Sequence, residues 1–484
     1  MIFSYSNRSP ARGGSWETAP APCGAAARTV EADVAVIGAG ISGLAAAVRC
    51  AQKGLSVVVA EKSAADEPHG EYIGVVPAGT DRMRFAGEWL KASGSRVNED
   101  LLRLYIDRSA AALDWLVSLG GGSVEAVPCE DTYKNPGISG YPGDYVLRCG
   151  DASGGALILS LLEDALAKAG GQLVRPVRAL QLEKDAAGRV VSFVGAAADG
   201  TLCRFVGKKA VILAAGDCGR DEEMLAALSP VSLRAGTNRA RGDGDGQKMA
   251  YWAGAELDGL YWAPDLDCGA FGPYTFFFTA VNRDGRRFMN EDTSVQAKAR
   301  HCMNQAGGDR AFTVCDDKWF DELRAALDYV GGPTVRPEGA FTRESVEAAC
   351  GQYLFRADSL EELAGLIGVP ADALSRTAAR VNELAAQGED TDYGKRPQLL
   401  TTIEKPPFYA FQWGPSLRRC LGGAIVDAAM RVQTPDDEPI PGLYAVGTCA
   451  GGLYAVGYPP LLRGSGFGSA LTFALAAADA IAAE

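Results

Sequence analysis

Val34-Ala-Val-Ile-Gly38-Ala-Gly40-Ile41-Ser42-Gly43-Leu44 is the stretch that decides the fold. A β-branched run ends in three glycines at the spacing G-x-G-x-x-G, and an Ala-rich segment, Leu44 to Val48, continues as helix. That is the strand, tight turn and helix start of a dinucleotide-binding βαβ unit. Gly38 permits the turn, Gly40 lets a pyrophosphate approach the backbone, and Gly43 lets helix pack on strand. The helix start at Ile41 and Ser42 offers free N–H groups and a positive dipole end to the phosphates. A second strand, Leu55 to Val59, leads into Glu61, 18 residues past Gly43, with Lys62 beside it. An acidic residue there accepts the ribose hydroxyls of an adenosine and repels a 2′-phosphate. The competing reading is an ordinary buried strand-to-helix turn, which does not account for the whole βαβ context. The motif specifies an adenine dinucleotide without separating FAD from NAD.

The 484 residues are enough for two or three domains. A hydrophobic share of 47% and a charged share of 22% fit a globular protein in water. A net charge of −13 argues against nucleic acid or an anionic membrane as the main partner. The 12 cysteines contain no C-x-x-C, which excludes a c-type haem attachment and argues against a zinc or iron–sulfur cage, so no metal is expected. Residues 1–30 carry no twin-Arg pair and no apolar core of a signal peptide, and no apolar run of bilayer-spanning length is expected. With thiols read as reduced, the expected location is the cytoplasm.

Along the chain, residues 1–30 read as an extended surface arm or a disordered leader. Residues 31–260 form the first part of the dinucleotide domain, 261–417 an inserted domain marked by a shift to charged helices, and 418–484 a return to the first domain. Helical spacing predicts helices over Leu102–Leu119, Leu157–Ala169, Gln247–Ala255, Ser359–Ile367 and Ala371–Ala386, with Ser359 and Glu362 as a capping box. Cys129–Gly150, crowded with Gly, Pro and Tyr, reads as a loop. Gln172–Val177, Val190–Val194 and Leu202–Val206 read as a meander, and Ala210–Gly216 as a separate buried strand returning to the dinucleotide sheet through Ala215 and Gly216. Gly242-Asp-Gly-Asp245-Gly246 precedes a helix and can present N–H groups to a phosphate or flavin edge; an acidic solvent loop is the alternative.

Several stretches together resemble the FAD-dependent fumarate reductase and 3-ketosteroid dehydrogenase superfamily: VAVIGAGISGLAAA with Glu61, AVILAAGDCGRDEEML, GDGDGQKMAYWAGAEL, VNRDGRRFMNED, LGGAIVD and IPGLYAVGTCAGG. The resemblance runs from residue 31 to the C-terminus. It implies an α/β protein with a Rossmann-like FAD domain built from both chain ends and an inserted α+β cap. It implies non-covalent FAD, with Gly447, Gly468 and Ser469 joining the residues above, Asp245 among them, in holding it. The chemistry implied is hydride exchange at flavin N5, paired with proton transfer across a C–C bond next to an electron-withdrawing group. A donor to the carbonyl oxygen then stabilises the developing enolate.

The departures from the fumarate pattern narrow the substrate. Where the fumarate reductases place an arginine proton donor, this chain has Val295, and where they place a histidine before T-M-G-G it has Arg418-Arg419-Cys420-Leu421. Only His69 and His301 are present, and His69 lacks the spacing of a covalent flavin attachment. Tyr458-Pro-Pro-Leu-Leu-Arg463-Gly-Ser-Gly466-Phe-Gly468 resembles the ketosteroid dehydrogenases' Tyr-Pro-Gly run, lengthened by two residues. In that alignment Tyr458 polarises the substrate carbonyl together with a glycine N–H, for which Gly466 is the candidate. In the competing alignment Arg463 matches a carboxylate-binding arginine. Arg418 is preferred to Arg419 as a substrate ligand because neighbours on a strand face opposite ways. Tyr141, Tyr145, Tyr274 and Tyr454 are pocket candidates.

The expected activity is reduction or desaturation of a carbonyl-activated C–C bond in a cyclic, steroid- or isoflavonoid-like small molecule, with an external electron donor or acceptor. The arm with Trp16, Pro20 and Pro22 resembles enzymes of anaerobic gut bacteria, so tetrahydrodaidzein reduction is one specific case. The rivals are a urocanate- or fumarate-like enoate reductase and a flavin-binding redox module without turnover.

Overall fold

The computed structural model describes residues 14–65, 70–129, 140–236, 240–259, 261–268, 277–330 and 342–484. At its centre the strand Arg28–Ile37 runs parallel between Leu202–Leu213 and Val57–Ala60, with Val36 opposite Ile212 and Val59. Gln172–Val174 extends this sheet on one side and Pro439–Ala445 on the other, so residues far apart in the chain complete one parallel sheet. Val34 to Ile37 are buried, as a parallel strand covered on both faces requires. The strand starts at Arg28, earlier than expected, because Arg28 to Ala32 already pair with Cys203 to Gly207.

Leu202–Leu213 is one continuous strand, not two. Its first half closes the meander with Val177–Lys184 and Val190–Ala197, and its second half enters the parallel sheet. The join is at Gly207, where a Cβ would lie 2.1 Å from the Ala210 carbonyl oxygen and the register with the central strand shifts. A β-bulge of this kind bends the strand from one partner to the next.

The stretch expected as a loop contains a strand, Asp144–Cys149, which pairs with Tyr72–Gly74 and Glu125–Pro128. Residues 130–139 of that stretch lie outside the described residues. Leu354–Ala357, Phe408–Trp413, Ala311–Cys315 and Thr279–Val281 form the antiparallel cap sheet. Leu363 and Leu374 from two cap helices pack on Phe312 of this sheet, while Trp319 and Leu323 of the helix Trp319–Val330 join Phe411 in a second cluster. Ser359 caps the helix Leu360–Ile367, but the Glu362 carboxylate accepts from Asp358 N–H rather than from Ser359, so the capping box is not closed. An antiparallel ribbon, Ala263–Asp267 against Ser416–Leu421, joins cap to dinucleotide domain.

The C-terminal helix Ser465–Ala483 is long and apolar enough to cross a bilayer, with mean hydropathy 1.5, contrary to the expectation of no such run. Most of it is buried, packed against the helices Ile41–Gln52 and Glu99–Ser118. Gly468 sets its position, since a Cβ there would lie 1.6 Å from the Gly74 carbonyl oxygen. At the other end of the chain Trp16 is buried edge-on to Tyr251, and its carbonyl accepts a 2.8 Å bond from the Trp252 indole.

Candidate active site

A cleft of about 710 Å³ opens at the carboxyl ends of the central strands and runs to the ribbon. Gly38 adopts φ 104°, and a Cβ there would lie 2.4 Å from the Ala214 carbonyl oxygen, so only glycine makes this turn. A Cβ on Gly40 would meet nothing within 4 Å, which leaves the helix N-terminus open to a pyrophosphate. Ile41, Ala215, Gly216, Lys62 and Asp245 line the same cleft. Glu61 lines it too, its carboxylate held by the N–H groups of Ala39 at 2.7 Å and Ser63 at 2.8 Å. The cradle and this fixed carboxylate fit the adenosine diphosphate half of FAD.

Other expected cofactor residues sit behind the cleft. Gly43 packs on Gly38, and Gly447 lies against Ser42, where a Cβ would come within 2.5 Å of the Ser42 hydroxyl. Gly468 serves the helix–strand contact described above. Ser469 bonds the Tyr454 hydroxyl at 3.1 Å. Asp245 is gripped by Arg178 at 2.8 and 3.0 Å, and Lys62 pairs with Asp243, so the mouth beside Glu61 carries alternating charges.

At the ribbon end the Tyr458 hydroxyl accepts a 2.7 Å bond from the Gly466 N–H. Tyr454 stacks on Tyr458 with centroids 5.7 Å apart, and the Arg419 guanidinium lies 5.7 Å from the Tyr458 ring centre. Burial pushes the Tyr458 hydroxyl above its ordinary pKa, while Arg419, Ser465 and the Gly466 N–H pull it partly back, so at neutral pH it is a protonated donor. Asp217 lines the same end, its carboxyl pushed up to about 6 by burial against the opposing bonds and the charge of Arg419.

Each arginine singled out in the sequence is paired with a buried aspartate. Arg463 donates to Asp144 at 2.6 Å while lying 4.2 Å over the Tyr72 ring, and Arg418 donates to Asp267 at 2.8 Å. Arg419, not Arg418, is the one against Tyr458, and it donates to Asp265 at 2.9 Å. Strand alternation does not separate the two arginines, because Asp265 faces Arg419 whereas Leu266 faces Leu417, making Arg418 an extra residue at a bulge. Both arginines therefore line the cleft.

Tyr141 is buried edge-on to Phe85, Tyr145 is half-buried on the strand Asp144–Cys149, and Val295 opens the helix Val295–Met303. Tyr274 and His69 lie outside the described residues. Arg419, Asp265 and Asp217 were not chosen from the sequence. The signal that could have found the first two is an Asp-x-Asp strand facing an Arg-Arg strand.

The dinucleotide cradle runs to the Arg419 guanidinium, with Tyr458 and the Gly466 N–H behind it, an arrangement suited to a flavoprotein. The chain belongs to the FAD binding domain family, whose model matches residues 33–466. It is similar to vinyl phenol reductase of Lactiplantibacillus plantarum, 25% identical over 490 aligned residues covering 90% of this chain and 94% of that protein. It is similar to fumarate reductase (cytochrome) of Shewanella frigidimarina, 27% identical across 91% of this chain and 75% of that protein. Its fold matches 3-ketosteroid delta1-dehydrogenase from Sterolibacterium denitrificans with TM-score 0.75 and 21% identity, covering 94% of this chain and 99% of that one. The protein is an FAD-dependent oxidoreductase of this family.

Proposed function

We propose that the protein acts on the carbonyl-activated C–C bond of a neutral cyclic molecule, steroid- or isoflavonoid-like, with electrons exchanged through an external donor or acceptor. The observation that carries this reading is the 2.7 Å contact between the Tyr458 hydroxyl and the Gly466 N–H. A phenol and a backbone N–H this close together can supply the two donors that a substrate carbonyl oxygen needs. The oxygen takes the place of the Tyr458 oxygen as acceptor for Gly466, and the Tyr458 hydroxyl turns to donate to it. FAD supplies or takes the hydride when bound. Tyr458 and Gly466 hold the negative charge that gathers on the oxygen as the C–C bond is reduced, where such donors contribute most.

Charge compensation favours a neutral substrate. Arg418, Arg419 and Arg463 each face a buried aspartate, so an enoate would have to displace Asp267, Asp265 or Asp144 to reach a guanidinium. Stopped-flow mixing of photoreduced holoenzyme with androst-4-ene-3,17-dione, cyclohex-2-enone, an isoflavanoid ketone, fumarate and urocanate tests this. Flavin reoxidation by the neutral ketones and not by the acids is expected. Reoxidation by acids alone overturns the reading in favour of an enoate reductase, and reoxidation by none of them favours a binding module.

A further inference from the structure

We infer that Gln296 is a positioning residue that couples the cap to Tyr458, an inference resting on the role just proposed for that tyrosine. Gln296 meets the Tyr458 backbone twice. Its side-chain amide donates to the Tyr458 carbonyl at 2.5 Å and accepts from the Tyr458 N–H at 3.2 Å. One primary amide thus stands in for a neighbouring peptide of a β-ladder. One turn further along the same helix, Arg300 donates to the Val456 carbonyl at 2.7 Å. Gly457 lies between these two anchors, where a Cβ would come 3.2 Å from the Gln296 oxygen and 3.5 Å from the Arg300 guanidinium.

The helix that carries this latch belongs to the cap by connection. Val295–Met303 lies on the chain between Thr279–Val281 and Ala311–Cys315, two paired strands of the cap sheet. The segment just before it is bound to another cap loop, since Glu291 pairs with Arg287 and Lys395 while Arg287 also pairs with Asp390. All four side chains of this network are nearly or fully buried, so the segment and the loop at Asp390 are held together. Tyr458 sits on a loop of the dinucleotide domain, where its ring meets Tyr454 and Arg419 and its hydroxyl meets Gly466, while its backbone N–H and carbonyl are bonded to Gln296. When the cap is in place, Gln296 and Arg300 hold residues 456–458 and aim the hydroxyl at Gly466. Without these bonds, residues 456–458 keep only the ring contacts of Tyr458 with Tyr454 and Arg419 and its hydroxyl bond to Gly466, and the aim of the donor pair loosens. Substrate capture and carbonyl polarisation are thereby linked through a contact that touches neither substrate nor cofactor.

Three measurements test the latch on full-length holoenzyme. Hydrogen exchange followed peptide by peptide should show faster exchange at residues 456–460 in Gln296→Ala, because the Tyr458 N–H loses its acceptor, with no change across Ile41–Gln52. Unchanged exchange at residues 456–458 overturns the inference whatever the substrate proves to be. For the ketone that best reoxidises the native enzyme, Gln296→Ala should lower kcat by about tenfold with a smaller change in KM. In the double variant with Tyr458→Phe the further loss should vanish, and additive losses would overturn the coupling. Gln296→Glu keeps the acceptor and loses the donor until its carboxyl is protonated, so its activity relative to native should recover as pH falls. Should Gln296→Ala fail to fold, Arg300→Ala takes its place, with the same expectations for exchange and for the double variant. If Tyr458→Phe itself leaves turnover unchanged, the proposed function fails first, while the exchange result still judges the latch.

Discussion

Replacing Asp265 by Asn should let the site proposed here for neutral molecules bind carboxylates. The Asp265 carboxylate lies 2.9 Å from Arg419 Nε and is 4% exposed, so it holds the guanidinium in a largely buried pair. Unit charges about 4 Å apart at an effective dielectric near 20 attract by about 4 kcal/mol. A carboxylate ligand approaching Arg419 in the native protein meets a charge already satisfied, and it is repelled by Asp265. Asn keeps the shape and one acceptor oxygen but removes both effects. Asp217 remains near Arg419 and recovers part of the compensation, so only a fraction of the Coulomb energy reaches the ligand. A gain of about 1.5 to 3 kcal/mol corresponds to roughly tenfold to a hundredfold in Kd. The assay is titration of oxidised holoenzyme with fumarate and with cinnamate, following the flavin absorbance, with cyclohex-2-enone as the neutral control. Tighter acid binding with an unchanged ketone Kd is expected. A folded, flavin-loaded variant with no gain for acids would refute the claim that paired arginines set the selectivity.

Tyr458→Phe should lower kcat for ketone reduction by about 10²- to 10³-fold while flavin content stays at the native level, as measured by stopped-flow reoxidation and absorbance. Asp217 carries a pH signature. The folded chain keeps this proton up to about 6, whereas an ordinary carboxyl releases it near 4, so stability falls as pH rises through that window. Asp217→Asn should therefore stabilise the protein above pH 6 by up to about 3 kcal/mol, and denaturant melts at pH 5 and 7.5 that show no pH-dependent difference from native would count against it. Acid denaturation should release all of the flavin as free FAD, and colour left on the precipitated chain would reveal a covalent bond.

The dinucleotide unit was legible in the sequence because its determinants are local. Three glycines, a β-branched run and one acidic residue lie within a single βαβ segment, and each constraint acts between near neighbours. The long amphipathic helices were legible for the same reason. Asp144–Cys149 was not, since its partner Tyr72–Gly74 is remote in the chain and the neighbouring glycines and prolines mimic a loop. Strand propensity of this kind is decided by what covers the strand. Leu202–Leu213 was split because the composition changes at its bulge, although the backbone does not stop. The ion pairs of the site were hidden most deeply. Three arginines could be seen, but whether each was open to a substrate depended on aspartates brought across from other strands.

The bulge at Arg418 lets one ribbon present two guanidinium groups to the cleft, and their surroundings rank them. Arg419 and Asp265 are both largely buried, whereas the Arg418 side chain is 50% exposed although its partner Asp267 is not. Water and salt screen a charge in the second position, so removing its partner uncovers little field. Asp267→Asn should change fumarate affinity by less than about threefold, and about 0.5 M salt should abolish even that, since the Debye length is then only a few ångströms. The gain from Asp265→Asn should survive the same salt in large part. Equal effects from the two substitutions would mean that burial does not distinguish the arginines and that both face the substrate alike. Selectivity would then belong to the ribbon's total charge, and the placement of Arg419 against Tyr458 would have no special part in it.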